Sequence, residues 1–265
     1  MRKFTYKTGA AILLVAVMAI QSCTKDEPAV PSSSETNLKI SGSRIFYGPT
    51  VPIGNGVARA WVQEDDNGAP LAVGINLSEK ALENLPPDPT QYVLYFPKNK
   101  GENFYKHMLV DWNPQGHEPP GIYDLPHFDF HFYWITNQER LAIGPAGAPQ
   151  FGIYPAAQYV PPAYIPTSGV PEMGTHWIDV LSPEFNGQVF TKTFILGSWN
   201  GSFVFYEPMI TRSYLLTHPQ ETLPVRQPSA FQQDGWYPTD YSIAYSTSPF
   251  QYTIALRNLA YHEGQ

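Results

Sequence analysis

The segment Pro126-His127-Phe128-Asp129-Phe130-His131-Phe132-Tyr133-Trp134 carries the densest chemistry in the chain. Side chains alternate across a strand, so His127, Asp129 and His131 share one face and the three phenylalanines share the other. Imidazoles and a carboxylate in a row can bind a divalent metal or pass protons. Same-face neighbours lie about 6.6 Å apart at Cα, and His127 and His131 about 13 Å apart. Neighbours can therefore meet on one ion, whereas both histidines on one ion need a bulge or a strong twist. A group left over can orient a ligand from behind.

Two further segments offer completing groups. His176 follows a glycine in Pro171-Glu172-Met173-Gly174-Thr175-His176-Trp177-Ile178-Asp179, and Glu207 ends the apolar run Phe203-Val204-Phe205-Tyr206 beside Pro208. Imidazoles with a carboxylate suit zinc, manganese or iron. The expected metal set is thus His127, Asp129, His131, His176 and Glu207. Each member also has a bland role: a hydrogen-bonded polar network for the strand, a structural histidine for His176, backbone amides near Pro208 for Glu207. Met173 and Met209 read as core. His117 and Glu118 are candidates for a pocket rim, although stabilising their own loop is the commoner role for such a pair.

The elements that must position these groups read as β-structure. Proline occurs 27 times, which leaves little room for long helices. Aromatic runs between Pro and Gly instead favour short strands. Strands are expected over 57–64 and 70–76, flanking a hairpin turn at Asp66-Asn67-Gly68. Others are expected over 92–96 and 107–112, over 188–196 and 202–206 around Asn200-Gly201, and over 241–245 and 252–256. Asp111-Trp112-Asn113-Pro114 reads as a turn. Ser78 is a candidate cap for a helix over 79–85, and Thr136 with Glu139 makes a capping box for a turn through Ile143. Together they predict one mainly β domain over 39–265, barrel-like or a two-sheet sandwich, with one or two short helices.

The N-terminus points to export. Arg2, Lys3 and Lys7 precede the apolar run Ala10–Ile20. Its eleven residues make a helix of about 16 Å, too short to span a bilayer and suited to a secretory signal. Ser22 before Cys23, with Ile20 upstream, resembles a relaxed lipobox, from which Gln21 departs. The expected plan is a signal peptide over 1–22, then lipidated Cys23 with a flexible tether to residue 38. Lys25-Asp26-Glu27 resembles the surface-export signal of Bacteroidetes lipoproteins. The expected location is therefore the outer membrane, at the cell surface or the periplasmic face, with the lipid as membrane anchor.

Cys23 is the sole cysteine, so disulfides, thiol nucleophiles and cysteine-ligated zinc are excluded from the mature chain. Without Arg2, Lys3 and Lys7, 13 basic residues face 23 acidic ones, a net charge of −10. That field repels polyphosphates and argues against nucleic acid as a partner.

Asp111-Trp112-Asn113-Pro114, Gly116-His117-Glu118-Pro119-Pro120, 126–133, Met173-Gly174-Thr175-His176-Trp177 and Glu207-Pro208-Met209-Ile210-Thr211 together resemble a domain family of unknown function. Its members are exported bacterial proteins, including a Thermus protein under sigma-factor control. The resemblance spans roughly residues 40–260, is most specific at His-Phe-Asp-Phe-His, and implies a β-rich fold without supplying an activity or catalytic residues.

Three functions remain open. One is a metal-binding lipoprotein, enzymatic if the ion activates water or polarises a substrate oxygen. Another is a non-catalytic module for glycans or small apolar ligands. The third is a self-associating envelope-stress or structural protein. Gly197-Ser198-Trp199-Asn200-Gly201 lacks a nucleophile elbow, and no His-Glu-x-x-His, phosphate-binding loop or dinucleotide fingerprint occurs.

Overall fold

The computed structural model describes Lys3 and residues 38–40, 42–101 and 104–265. The expected signal segment, Cys23 and nearly all of the tether lie outside the described residues. The described residues from 38 onward belong to one compact unit. Among the described residues, no helix is long and apolar enough to cross a membrane.

The chain builds two antiparallel seven-stranded sheets, and neither closes into a barrel. The first runs β1 (Leu38–Ile40), β2 (Ser43–Ile53), β3 (Gly56–Asp65) and β4 (Pro70–Ser78), then β14 (Phe250–His262), β13 (Gly235–Thr247) and β12 (Gln220–Pro224). The second runs β5 (Thr90–Tyr95), β6 (His107–Asn113), β7 (His127–Tyr133), β11 (Ser202–Thr211), β10 (Lys192–Trp199), β9 (Gly174–Asp179) and β8 (Tyr164–Val170). Both outer groups of strands in the sequence make the first sheet, and the middle group makes the second. Of the two expected architectures, the sandwich is the one present.

The alternation in β7 decides which face does what. Phe128, Phe130 and Phe132 are fully buried in the main core with Val73, Ile75 and Leu77 of β4 and Ile254 of β14. Burying each such ring contributes about 1.5–3 kcal/mol. The opposite face of the second sheet has two smaller apolar clusters, one around Tyr123, Ile178, Ile195 and Met209 and one around Leu109, Tyr133 and Phe205. The polar residues lie between them.

The expected hairpins form. β3 pairs with β4 across Asp66–Gly68, β10 with β11 across Asn200–Gly201, and β13 with β14. Three readings need correction. Ser78 caps no helix, because its hydroxyl accepts from the Val57 amide at 3.0 Å, and only a 3₁₀ turn, Glu79–Leu82, follows. Asp111 to Asn113 continue β6 rather than turning. Glu207 sits within β11, which runs on through Pro208 to Thr211. The Thr136–Glu139 capping box is present and starts α1 (Asn137–Leu141), while α2 (Arg212–Leu215) follows β11 directly.

Candidate metal centre

The register brings the chemistry onto one stretch of sheet. Asp129 of β7 stands opposite Asp111 of β6 on one side and Met209 of β11 on the other. His131 stands opposite Leu109, and Glu207 opposite Ile195 of β10. His176 of β9 faces Gly197. A Cβ on Gly197 would lie 1.9 Å from the Phe205 ring, so only glycine leaves that ring room. Phe205 in turn packs edge-on against His131 at 4.8 Å and His176 at 5.4 Å between ring centres. Small against large is how the sheet seats two imidazoles beside a carboxylate.

The loop from β6 to β7 folds over this face. Gly116 has φ +72°, and a Cβ there would meet the Tyr123 carbonyl at 2.0 Å. The His117 amide donates to that same carbonyl at 3.1 Å, which holds the His117 ring over β7. The covered space is a cavity of about 590 Å³, walled by Ile178, Ile195, Met209, Met173, Val170 and the His117–Pro120 loop. Asp111, Asp129, His176 and Glu207 reach it from the sheet.

The five expected ligands are all on this face, but they divide into two triads. His131, His176 and Glu207 form one, and His127 and Asp129 join His117 in the other; within each triad the ligand atoms lie within 4.8 Å of one another. His127 and His131 thus serve different triads, as the 13 Å spacing along a strand requires. In the first triad, His131 Nε2 lies 3.5 Å from Glu207 Oε1 and His176 Nε2 lies 3.6 Å from Glu207 Oε2. Tetrahedral ligands on bonds of about 2.1 Å are about 3.4 Å apart, and each of these imidazole–carboxylate distances is close to one such edge, on a different Glu207 oxygen in each case.

Behind the first triad, His131 Nδ1 faces Asp111 Oδ2 at 3.3 Å, and Gln91 donates to Asp111 Oδ1 at 2.8 Å. A carboxylate behind a ligating imidazole fixes its tautomer and orientation. In the second triad, His127 and His117 both place Nδ1 at 2.7 Å from a carbonyl, of Leu125 and Glu118 respectively. Their Nε2 atoms then face the Asp129 carboxylate at 3.1 and 3.4 Å. Asn113 donates to Asp129 Oδ2 at 2.7 Å.

Burial raises the stakes. His127 is 0 % exposed, His131 1 %, Glu207 1 % and Asp129 4 %. Among the described residues, ten buried side-chain N or O atoms lack a hydrogen-bond partner, and eight of them belong to His107, Asp111, His127, Asp129, His131, Tyr133 and Glu207. An unpaired buried polar group costs about 1–3 kcal/mol, so eight on one face single it out from the rest of the described residues.

The charges are strongly perturbed. Burial opposes a charge on His131, but Glu207 and Asp111 outweigh it and push the ring up to about 9. His117 goes the same way, up to about 9, because Asp129 overcomes its desolvation. Burial lifts Glu207 to about 8, helped by Asp129 and opposed by His131. Desolvation, then the neighbouring His131 charge, takes His176 down to about 3, and burial with Arg140 takes His107 to about 4. Burial works against the Asp129 anion, yet His127 and His117 hold its carboxyl below the usual range.

Asp111 and the ligand role of His117 are absent from the expected metal set. The alternation His107, Leu109, Asp111, Asn113 against Met108, Val110, Trp112 already carried the signal for Asp111, and the Asn-Pro punctuation masked it. His117 had no such signal, because its position over β7 depends on the loop's tertiary path.

No curated protein and no solved structure matches the chain. Residues 65–112, from the end of β3 through Trp112 of β6, match the model of a family described as TTHB210-like, hypothetical protein TTHB210, so this stretch, which includes Gln91 and Asp111, is similar to a family whose description gives no activity.

Proposed function

We propose that the protein is an exported, lipid-anchored metal-binding protein, whose pocket holds a divalent transition ion on His131, His176 and Glu207. The observation that carries the reading is the concentration of unpaired buried nitrogen and oxygen atoms around these side chains. Two imidazoles and one carboxylate are a donor set that zinc accepts with a coordination position left open. Of the three, His176 and Glu207 line the cavity, whose walls are largely apolar and which is large enough for a small organic molecule. An ion held on these three side chains would act as a Lewis acid toward whatever the cavity admits. Asp111 holds the His131 ring from behind.

The test is elemental analysis of the chain from Thr24, purified without added metal or a histidine tag, alongside His131→Ala and His176→Ala. Near-stoichiometric zinc, manganese or iron in the parent, reduced in both variants, supports the reading. A parent that is empty and takes up none of these ions sinks it.

A second reading has its own support, because every unpaired imidazole nitrogen of the two triads faces a carboxylate. Protonated His131 and His117 would then neutralise Asp111, Glu207 and Asp129, leaving a metal-free pocket for a glycan or small apolar ligand. Ligand binding that survives chelation distinguishes it.

A further inference from the structure

We infer that the pocket holds a second, separately loaded divalent cation on His117, His127 and Asp129, closed in by the loop that carries His117. The inference rests on the reading of this face as a metal pocket but on a different set of atoms, since the two triads share no residue. His127 and His131, one in each triad, leave β7 about 13 Å apart at Cα. One ion cannot take short bonds to both triads.

The atoms are prepared for a cation. A neutral imidazole has one N–H and one lone pair. In His127 and His117 the Nδ1 hydrogen is spent on a backbone carbonyl at 2.7 Å, so once the ring is neutral each Nε2 presents a lone pair to the Asp129 carboxylate. Lone pairs facing a carboxylate repel unless a positive charge stands between them. His127 Nε2 and Asp129 Oδ1 are both buried without a hydrogen-bond partner, and His127 is wholly enclosed. Backbone carbonyls behind both rings provide the orientation that metal-ligating histidines ordinarily receive. Asn113 donates to Asp129 Oδ2, which His117 Nε2 also faces, while Oδ1, facing His127, is left without a hydrogen bond.

The two sites differ in construction. His131, His176 and Glu207 all stand on strands. His117 stands on a loop, and its side chain is 39 % exposed. The second ion therefore bridges the loop to the sheet, and filling the site fastens the loop over the cavity. Two imidazoles and a carboxylate select a borderline ion such as zinc over calcium or magnesium.

The experiment is a zinc titration of the full chain, purified without a histidine tag, with stoichiometry read by elemental analysis after dialysis. Parent, His117→Ala, His127→Ala and His131→Ala are compared, and far-ultraviolet circular dichroism confirms that each variant is folded. Expected are two zinc ions in the parent, one in His117→Ala and one in His131→Ala. In parallel, zinc slows proteolytic cleavage within residues 115–124 of the parent and of His131→Ala, but not of His117→Ala. His117 is half-exposed, so its variant is the one whose folding is safest. One ion in the parent, lost in His131→Ala and kept in both His117→Ala and His127→Ala, overturns the inference and leaves the first site standing. One ion kept in His131→Ala but lost in His117→Ala and His127→Ala supports it and removes the first site instead. No zinc in any of them overturns both.

Discussion

At the scale of single residues, Asp111 is the most informative side chain outside the two triads. It touches none of the cavity's proposed ions directly, yet it faces His131 Nδ1 at 3.3 Å and is itself held by Gln91. Asp111→Asn keeps the shape and removes the charge that orients the imidazole. The expected outcome is a 10–100-fold loss of zinc affinity at the first site, the range found for such partners, read by competition with a chromophoric chelator. An unchanged affinity would mean that His131 needs no partner. The same residue shows how far the site could be read from the chain. Five ligands announced themselves through alternation in 126–134 and through His176 and Glu207, whereas Asp111 was hidden by the Asn113-Pro114 punctuation beside it. That His127 and His131 part company was legible from their spacing, but which groups join each of them was not, because it depends on which strands of the sheet lie beside β7. His117 was legible only as a rim residue, since nothing local fixes the height of a loop above a sheet.

At the scale of elements, α1 does the quiet work of fixing the approach to β9. Its capping box is complete, with the Glu139 amide donating to Thr136 Oγ1 at 3.2 Å and the Thr136 amide donating to Glu139 Oε2 at 2.7 Å. The helix presents Arg140, whose guanidinium donates to the Glu172 carbonyl at 3.0 Å, two residues before β9 begins. Thr136→Ala should cost about 1 kcal/mol, the usual value of a lost N-cap, seen as a lower denaturant midpoint at unchanged slope. An unaltered midpoint would show that packing alone holds α1. Local signals of this kind were readable: the capping box, Asp66-Asn67-Gly68 and Asn200-Gly201 each formed as the sequence implies. The failures share a cause, which is long-range pairing. Ser78 had the look of a cap, but the Val57 amide across the β3–β4 pair took its hydroxyl. Pro208 looked like a strand end, but β11 continues through it. The rung between Tyr206–Phe132 and Met209–Asp129 loses its amide there, and β10 pairs along the other side.

At the scale of the whole molecule, the buried charges tie stability to pH and metal. In the metal-free protein His117 and His131 sit at about 9 and Glu207 at about 8. The unfolded chain titrates near ordinary values of about 6.5 for histidine and about 4.3 for glutamate. Through these three groups the folded state holds extra protons, and stability falls as pH rises through this window. His176 and His107, held down at about 3 and 4, act the other way only up to about 6.5. For His117 and His131 the contribution is whole below about 6.5 and gone above about 9; Glu207 acts in the same direction from about 4.3 to about 8. The metal-free melting temperature is expected to drop between pH 6 and pH 9. Metal needs the deprotonated rings, so the rise in melting temperature on adding zinc should grow over the same interval. A zinc effect that shrank with pH would contradict this. The sandwich itself was legible as a class, because aromatic alternation between Pro and Gly leaves few other solutions. Its strand order was not, since β7 lies between β6 and β11, which are 89 residues apart at Asn113 and Ser202. The most direct measurement is anomalous diffraction from crystals grown with zinc, at wavelengths on either side of the zinc edge. Expected is a peak about 2 Å from His131 Nε2, His176 Nε2 and a Glu207 oxygen. A pocket without such a peak, with His131 hydrogen-bonded to Asp111 and Glu207 through water, would contradict the metal centre.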